Sequence, residues 1–269
     1  MMRTAIPSFL AAALLAVAAG APTGPAATRP PVLPGAIVDL THAFDAHTIY
    51  WPTAGGFQLE PVAHGVTDKG YFYAANRFCA AEHGGTHLDA PIHFFEGRRT
   101  ADAIPIEQLI GVGVRVDVSG KCAKDRDHRI GVEDLTAWES QHGRIPGGAI
   151  VLLQTGWAER WGDRTAYLGT SRTGPEAVPE LHFPGLHPDA ARWLVHTRTV
   201  KAIGLDTPSI DYGQSTLFES HVTLFEANVP AFENVASLAR LPAKDFVVAA
   251  LPMKIRGGTG APLRIVAWW

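Results

Sequence analysis

Charge is scarce in this chain: only 18% of its 269 residues are Asp, Glu, Lys or Arg, and the formal net charge is −3. No block of basic residues occurs, so the sequence offers a nucleic acid no run of phosphate contacts. Cysteine is scarcer still. Cys79 and Cys122 lack the C-x-x-C spacing of a structural zinc site and are not assigned to a metal. They either pair, closing a loop worth at most about 4 kcal/mol, or stay as two thiols. No apolar run approaches the roughly 20 residues that span a bilayer. Internal repeats are absent, and so is a second-domain boundary. The Gly-rich stretch RGGTGAP, 256–262, lacks the strand–loop–helix setting of a phosphate cradle and reads as a loop.

What the chain does have is apolar substance, 46% of its residues, enough for one large core. The first 21 residues read as a secretory signal. Arg3 is its positive region, Phe9 to Ala18 its apolar region, and Ala19-Gly20-Ala21 a small-residue cleavage site. Export, to a periplasm or beyond, is the expectation that follows. Residues 22–35 are a Pro-rich tether, and the folded part is expected over 36–269.

Within that part, strands are expected at Ala36–Leu40, Tyr71–Ala81, Val112–Val118, Ala149–Thr155, Val200–Leu205, Asp245–Pro252 and Leu263–Trp269. Ala149–Thr155 is almost continuously apolar, as a strand buried on both faces is. Helices are expected at Ile104–Ile110, at Gly131–His142 ending in Gly143, and at His187–Thr197 with Pro188 in the first turn. Arg160–Glu180 reads as a loop, and Gln214–Pro230 shows no clean period. The fold class is α/β: a single domain with a large central sheet or barrel-like β core and flanking helices.

One stretch concentrates chemistry. HGGTHLDAPIHF, His83 to Phe94, places His83, His87, Asp89 and His93 within eleven residues, at even offsets from the first. Even offsets share one face of an extended segment, whereas on a helix only His83 and His87 would coincide. Pro91 and Gly84-Gly85 also disfavour a helix. A straight strand would hold His83 and His93 roughly 33 Å apart at about 3.3 Å per residue. The segment must therefore bend, and Gly84-Gly85 is the place for it. The product is two imidazoles and a carboxylate on one side, a common set for Zn²⁺, Mn²⁺ or Fe²⁺. His93 is then either a fourth ligand or a base, and Pro91, which redirects the chain before it, favours the base. An imidazole near its ordinary pKa of about 6.5 exchanges protons at neutral pH. Tyr50-Trp51-Pro52 sits in a loop where it either lines a pocket or caps the core.

HGGTHLDAPIHF resembles the HxGTHxDxPxH signature of the cyclase family of metal-dependent hydrolases, which includes kynurenine formamidases and isatin hydrolases. HFPGLHPDAARWL, DTPSIDYG and GGTGAPLR look closer to the isatin hydrolase branch. The resemblance implies a swivelling β/β/α fold and a homo-oligomer. It implies that His83, His87 and Asp89 hold one divalent metal, Mn²⁺ or Zn²⁺, with Glu233 as a possible further ligand. Asp89, His221 and Glu233 would hold a second metal in members that bind two. It makes His93 the proton donor and acceptor, and Trp51 a substrate contact. The formamidases carry a WPGD-like stretch where this chain reads WPTAGG, which counts against formamidase specificity. The expected substrate is a small cyclic or aryl amide opened by metal-activated water. The alternatives are a kynurenine formamidase and an exported metal- or ligand-binding protein that does no chemistry.

Overall fold

Five of the seven runs that read as strands enter one closed ring of strands. The computed structural model describes residues 35–269; the signal segment 1–21 and all but the last residue of the tether 22–35 lie outside the described residues. In chain order the strands are β1 Ile37–Asp39, β2 Gln58–Val66, β3 Phe72–Cys79, β4 His87–Asp89, β5 Ile110–Asp117, β6 Arg129–Ile130, β7 Ile150–Gln154, β8 Gly185–Leu186, β9 Ala202–Leu205, β10 Ala231–Glu233, β11 Phe246–Pro252 and β12 Gly260–Trp268. The main sheet runs β1-β12-β11-β5-β7-β9-β10-β4, and β4 also pairs with β12. Seven strands therefore form a closed, barrel-like ring, and β1 pairs with the C-terminal end of β12, beyond the stretch that β4 pairs. The ring is closed by β4, the strand that carries His87 and Asp89. Closure removes the edges that an open sheet would expose.

Strand β7 shows why the ring needs helices. All five of its residues are buried. Ile150 and Leu152 pack with Leu88, Phe232, Val248 and Ile265 on one side of the sheet. Val151 and Leu153 face the other way, against Leu135, Trp138, Ala190, Leu194 and Leu224. A strand so covered contributes roughly 1.5–3 kcal/mol per large side chain. The helix Val132–His142 covers it as expected, stopped by Gly143 at φ 88°. Pro188 opens the expected helix, which is α-helical to Trp193 and then widens into a π turn over Leu194–Arg198.

Two expectations need correction. Arg160–Glu180 is not simply a loop: Asp163 accepts a hydrogen bond from the Ala166 amide and caps a short helix, Arg164–Leu168, whose Tyr167 and Leu168 are fully buried. Gln214–Pro230 contains the helix Glu219–Glu226, which starts after Phe218 at φ 49° with no side-chain cap and so gave no start signal. Tyr71–Ala81 is a strand, β3, but it stands outside the ring. It pairs only with β2, unforeseen from the sequence, as a two-stranded arm. Cys79 is exposed at the base of that arm, Cys122 is buried, and both thiols are free. Among the described residues no helix is long and apolar enough to cross a membrane.

Candidate metal centre

The expected bend in the motif falls at Gly85, whose φ of 58° is left-handed. A Cβ there would lie 2.6 Å from the Phe44 ring, so the turn and the packing both require glycine. The bend brings the His83 ring back beside β4. His87 and Asp89, two residues apart on that strand, project to one side. Across the β4–β10 ladder Glu233 lies opposite His87, and the helix Glu219–Glu226 supplies His221. The sequence-predicted residues His83, His87, Asp89, His221 and Glu233 thus meet, although 132 positions separate Asp89 from His221. Two overlapping trios can each hold a metal ion, His83–His87–Asp89 and Asp89–His221–Glu233, with ligand atoms within 4.8 Å of one another.

The hydrogen bonds of the three imidazoles fix which ring nitrogens face the centre. His221 Nδ1–H donates to Asp211 Oδ2 at 2.6 Å, which leaves the Nε2 lone pair facing Asp89 Oδ2 at 3.2 Å and Glu233 Oε1 at 3.1 Å. His87 Nδ1–H donates to the Gly85 carbonyl at 2.9 Å, so its Nε2 faces Asp89 Oδ1 at 3.1 Å and Glu233 Oε2 at 3.4 Å. That buried Nε2 has no hydrogen-bond partner. The Thr259 hydroxyl donates to Glu82 at 2.6 Å and therefore accepts from His83 Nε2–H at 2.9 Å. His83 Nδ1 then points its lone pair at Asp89 Oδ1, 2.6 Å away. Three lone pairs converge on two buried carboxylates, an arrangement that only extra protons or a cation can hold together. These residues fit a divalent metal, and each imidazole has the second partner that fixes a ligand's tautomer.

Without a metal, protons do the work. Burial opposes charge on His87, but Asp89, Glu233 and the Gly85 carbonyl outweigh it and lift the imidazole to about 9. Burial is likewise overcome at His221, which Asp211, Asp89 and Glu233 raise well above its ordinary value. Asp89 resists burial because His83, His87 and His221 hold it well below the usual carboxylate range. Glu233 is raised, by burial first and then by the Asp89 charge.

His93 behaves differently. It ends a short turn, Pro91–His93, half-buried, and its ring stacks on His83 with centroids 3.8 Å apart. Burial, only partly offset by the Asp89 carboxylate and helped by the neighbouring imidazoles, pushes its pKa down to about 4. The expectation of an unperturbed imidazole is thereby corrected: at neutral pH His93 is a free base beside the ligand set.

A cavity of about 280 Å³ opens over the centre and is lined by His83, His87, Asp89, His93, His221 and Glu233. Trp51 lines it too, its ring edge-on to Phe183 and Phe218, and Phe94 packs on the His221 ring at 4.6 Å. Several contributors were invisible in the sequence. Asp211 had no local mark apart from the DTPSID stretch, and Thr259 lies in the segment read as a plain loop. Asn234, at φ 53°, donates to the Gly85 carbonyl at 2.7 Å and so ties β10 to the bend.

The model of one family, described as "Putative cyclase", matches residues 38–212. Among curated proteins, an isatin hydrolase of Roseibium aggregatum is 35% identical over 206 residues, 74% of this chain and 76% of that protein. A kynurenine formamidase of Salinibacter ruber is 26% identical over 231 residues, 86% of this chain and 96% of that protein. Among solved structures, isatin hydrolase A from Ralstonia solanacearum superposes with a TM-score of 0.77 at 33% identity, covering 86% of this chain and 91% of that one.

Proposed function

The chain belongs to the putative cyclase family, and from that premise we propose that it is a metal-dependent amide hydrolase opening a cyclic or aryl amide of the isatin type. The observation that carries this reading is the convergence of three imidazole lone pairs and two buried carboxylates beneath an aromatic cavity, with an uncommitted base at the edge. In this reading His83, His87 and Asp89 hold one divalent ion, and Asp89, His221 and Glu233 hold a second where two are bound. Mn²⁺ and Zn²⁺ both suit such a set. When bound, the metal supplies Lewis-acid polarisation of the amide carbonyl and lowers the pKa of water toward about 7.

The chain's own residues do the rest. His93, neutral above about pH 4, takes the proton as water adds to the carbonyl carbon. The imidazolium that results is a strong acid in its buried setting and returns the proton to the leaving nitrogen. The C–N bond breaks, oxygen from water stays on the acyl carbon, and ring opening gives a carboxylate and an aryl amine in one molecule. Trp51, Phe94 and Phe218 provide flat apolar walls for an aryl ring. An N-terminal signal would place this chemistry outside the cytoplasm, where an amide from the surroundings is a better fit than a formamide made from tryptophan inside the cell.

The test is product formation from isatin and from N-formylkynurenine by chelator-treated protein, with Mn²⁺ or Zn²⁺ restored. Metal-dependent ring opening of isatin is the expected result. Deformylation of N-formylkynurenine instead would assign the chain to the formamidase activity. Metal uptake with no product from either, and return of bound isatin unchanged, would replace the enzyme by a binding protein.

A further inference from the structure

The cavity over the metal centre presents more polar groups than the chemistry uses. Beside the ligand set and His93 it is lined by the hydroxyl residues Tyr50, Thr53 and Ser209 and by Asn234. The Asn234 amide is engaged at both ends: Oδ1 accepts from the Tyr167 hydroxyl at 2.8 Å, and Nδ2 donates to the Gly85 carbonyl at 2.7 Å. The Tyr50 hydroxyl is shut off from solvent, and its ring is packed on Gly84. Thr53 sits at the exposed rim. Ser209 is different. The residue is only 5% exposed, yet its hydroxyl pairs with no group among the described residues and is not shut off as that of Tyr50 is. A hydroxyl so deeply placed is normally hydrogen-bonded. Left free in the lining of a ligand cavity, it marks the place of a ligand atom.

The metal centre itself fixes where Ser209 stands. Its carbonyl accepts from the Thr207 hydroxyl at 2.8 Å, and the next amide, Ile210 N–H, donates to Glu233 Oε1 at 2.8 Å. Two residues on, Asp211 holds His221 through Nδ1. The DTPSID stretch that follows β9 therefore grips two candidate ligands from outside while it presents one uncommitted hydroxyl to the cavity.

We propose that the Ser209 hydroxyl determines specificity: it donates a hydrogen bond to a second substrate oxygen, on the carbon next to the scissile carbonyl. The proposal rests on the amide-hydrolase reading and adds an anchor to it. Ser209 is tied through the next peptide to Glu233, so an oxygen vicinal to the reacting carbonyl is the acceptor placed to meet it. The far end of an aryl ring belongs instead among Trp51, Phe94 and Phe218. The site then selects amides that carry a second carbonyl beside the first. A formamide, whose scissile carbonyl bears only hydrogen, offers the hydroxyl nothing there, and a site built to hydrogen-bond a group discriminates against ligands that lack it.

The experiment compares metal-loaded wild type with Ser209→Ala, with metal content and circular dichroism as controls. KM and kcat are measured for isatin. The inhibition constant is measured for oxindole, the same ring system with a methylene where isatin has its second carbonyl. The expected result is a KM for isatin raised about tenfold in Ser209→Ala, the loss of one neutral hydrogen bond, with kcat little changed. Oxindole should inhibit both proteins alike. An isatin KM equal in the two proteins overturns the inference and leaves the hydrolase reading standing. Equal weakening of isatin and oxindole also overturns it, because Ser209 would then only shape the cavity. If wild type opens no isatin, the hydrolase reading fails separately, and calorimetric titration of isatin and oxindole into both proteins decides the role of Ser209. Isatin bound no better by wild type than by Ser209→Ala, or by neither, overturns the inference there too.

Discussion

Asp211 is the residue on which the metal centre can be tested most directly, because it touches neither carboxylate ligand and acts only through His221. Its Oδ2 accepts from His221 Nδ1 at 2.6 Å and from the His221 amide at 3.2 Å, while Oδ1 accepts from the Ser220 amide at 3.1 Å. Asp211→Asn keeps the shape and removes one acceptor. If the Asn oxygen faces His221, the Ser220 amide is left with a donor opposite it. If the –NH₂ faces His221, Nδ1 must accept, and the ring proton moves to Nε2, where it points at Asp89 and Glu233. Either way His221 becomes a poorer ligand, and the loss expected for such a partner is 10–100-fold in metal affinity, about 1.4–2.7 kcal/mol. The assay is calorimetric titration of chelator-treated protein with Mn²⁺ or Zn²⁺, read together with metal stoichiometry. Only the ion held by Asp89–His221–Glu233 should weaken; the ion at His83–His87–Asp89, where His221 takes no part, should be held as before. Wild-type affinity and stoichiometry in Asp211→Asn, with circular dichroism unchanged, would refute the argument that this carboxylate sets the imidazole's tautomer.

Two further outcomes are expected. His93→Ala should retain wild-type metal content and lose about 10²–10⁴-fold in turnover of an accepted amide; undiminished turnover would remove His93 from the chemistry. His42 stacks on Trp161 at 4.1 Å with its Nε2 buried and unpartnered, and burial pushes its pKa down to about 4. Between the ordinary 6.5 and about 4 the unfolded chain therefore binds a proton that the folded chain does not. The penalty is absent above pH 6.5, grows as pH falls, and levels off near pH 4 at no more than about 3 kcal/mol. His42→Phe keeps a stacking ring and removes the titration. Urea unfolding at pH 7 and pH 4.5 should show wild type losing more stability than the variant, and equal losses would count against the burial argument.

The sequence determined the strands β1, β3, β5, β7, β9, β11 and β12 and the motif because their signals are local. Ala149–Thr155 reads as a doubly buried strand from its apolar run alone. Even spacing from His83 to His93, with glycines to bend it, announced a ligand cluster before any contact was known. His221 and Glu233 were legible only through a family resemblance, since nothing in ESHVTLFEANVPAFE distinguishes His221 from an exposed histidine or Glu233 from Glu219 and Glu226. Tertiary structure decided the rest. That Glu233 lies opposite His87 follows from β10 pairing with β4, and strand pairing is a long-range choice that no local period encodes. Asp211 and Thr259 fix imidazole tautomers by hydrogen bonds across 10 and 176 positions. His93 is an ordinary imidazole in the sequence and a weakly basic one in the fold, because desolvation depends on what packs around it rather than on its neighbours in the chain. The arm shows the same division: the sequence proposes a strand at Tyr71–Ala81, and only the tertiary pairing, with β2 rather than with the ring, places it.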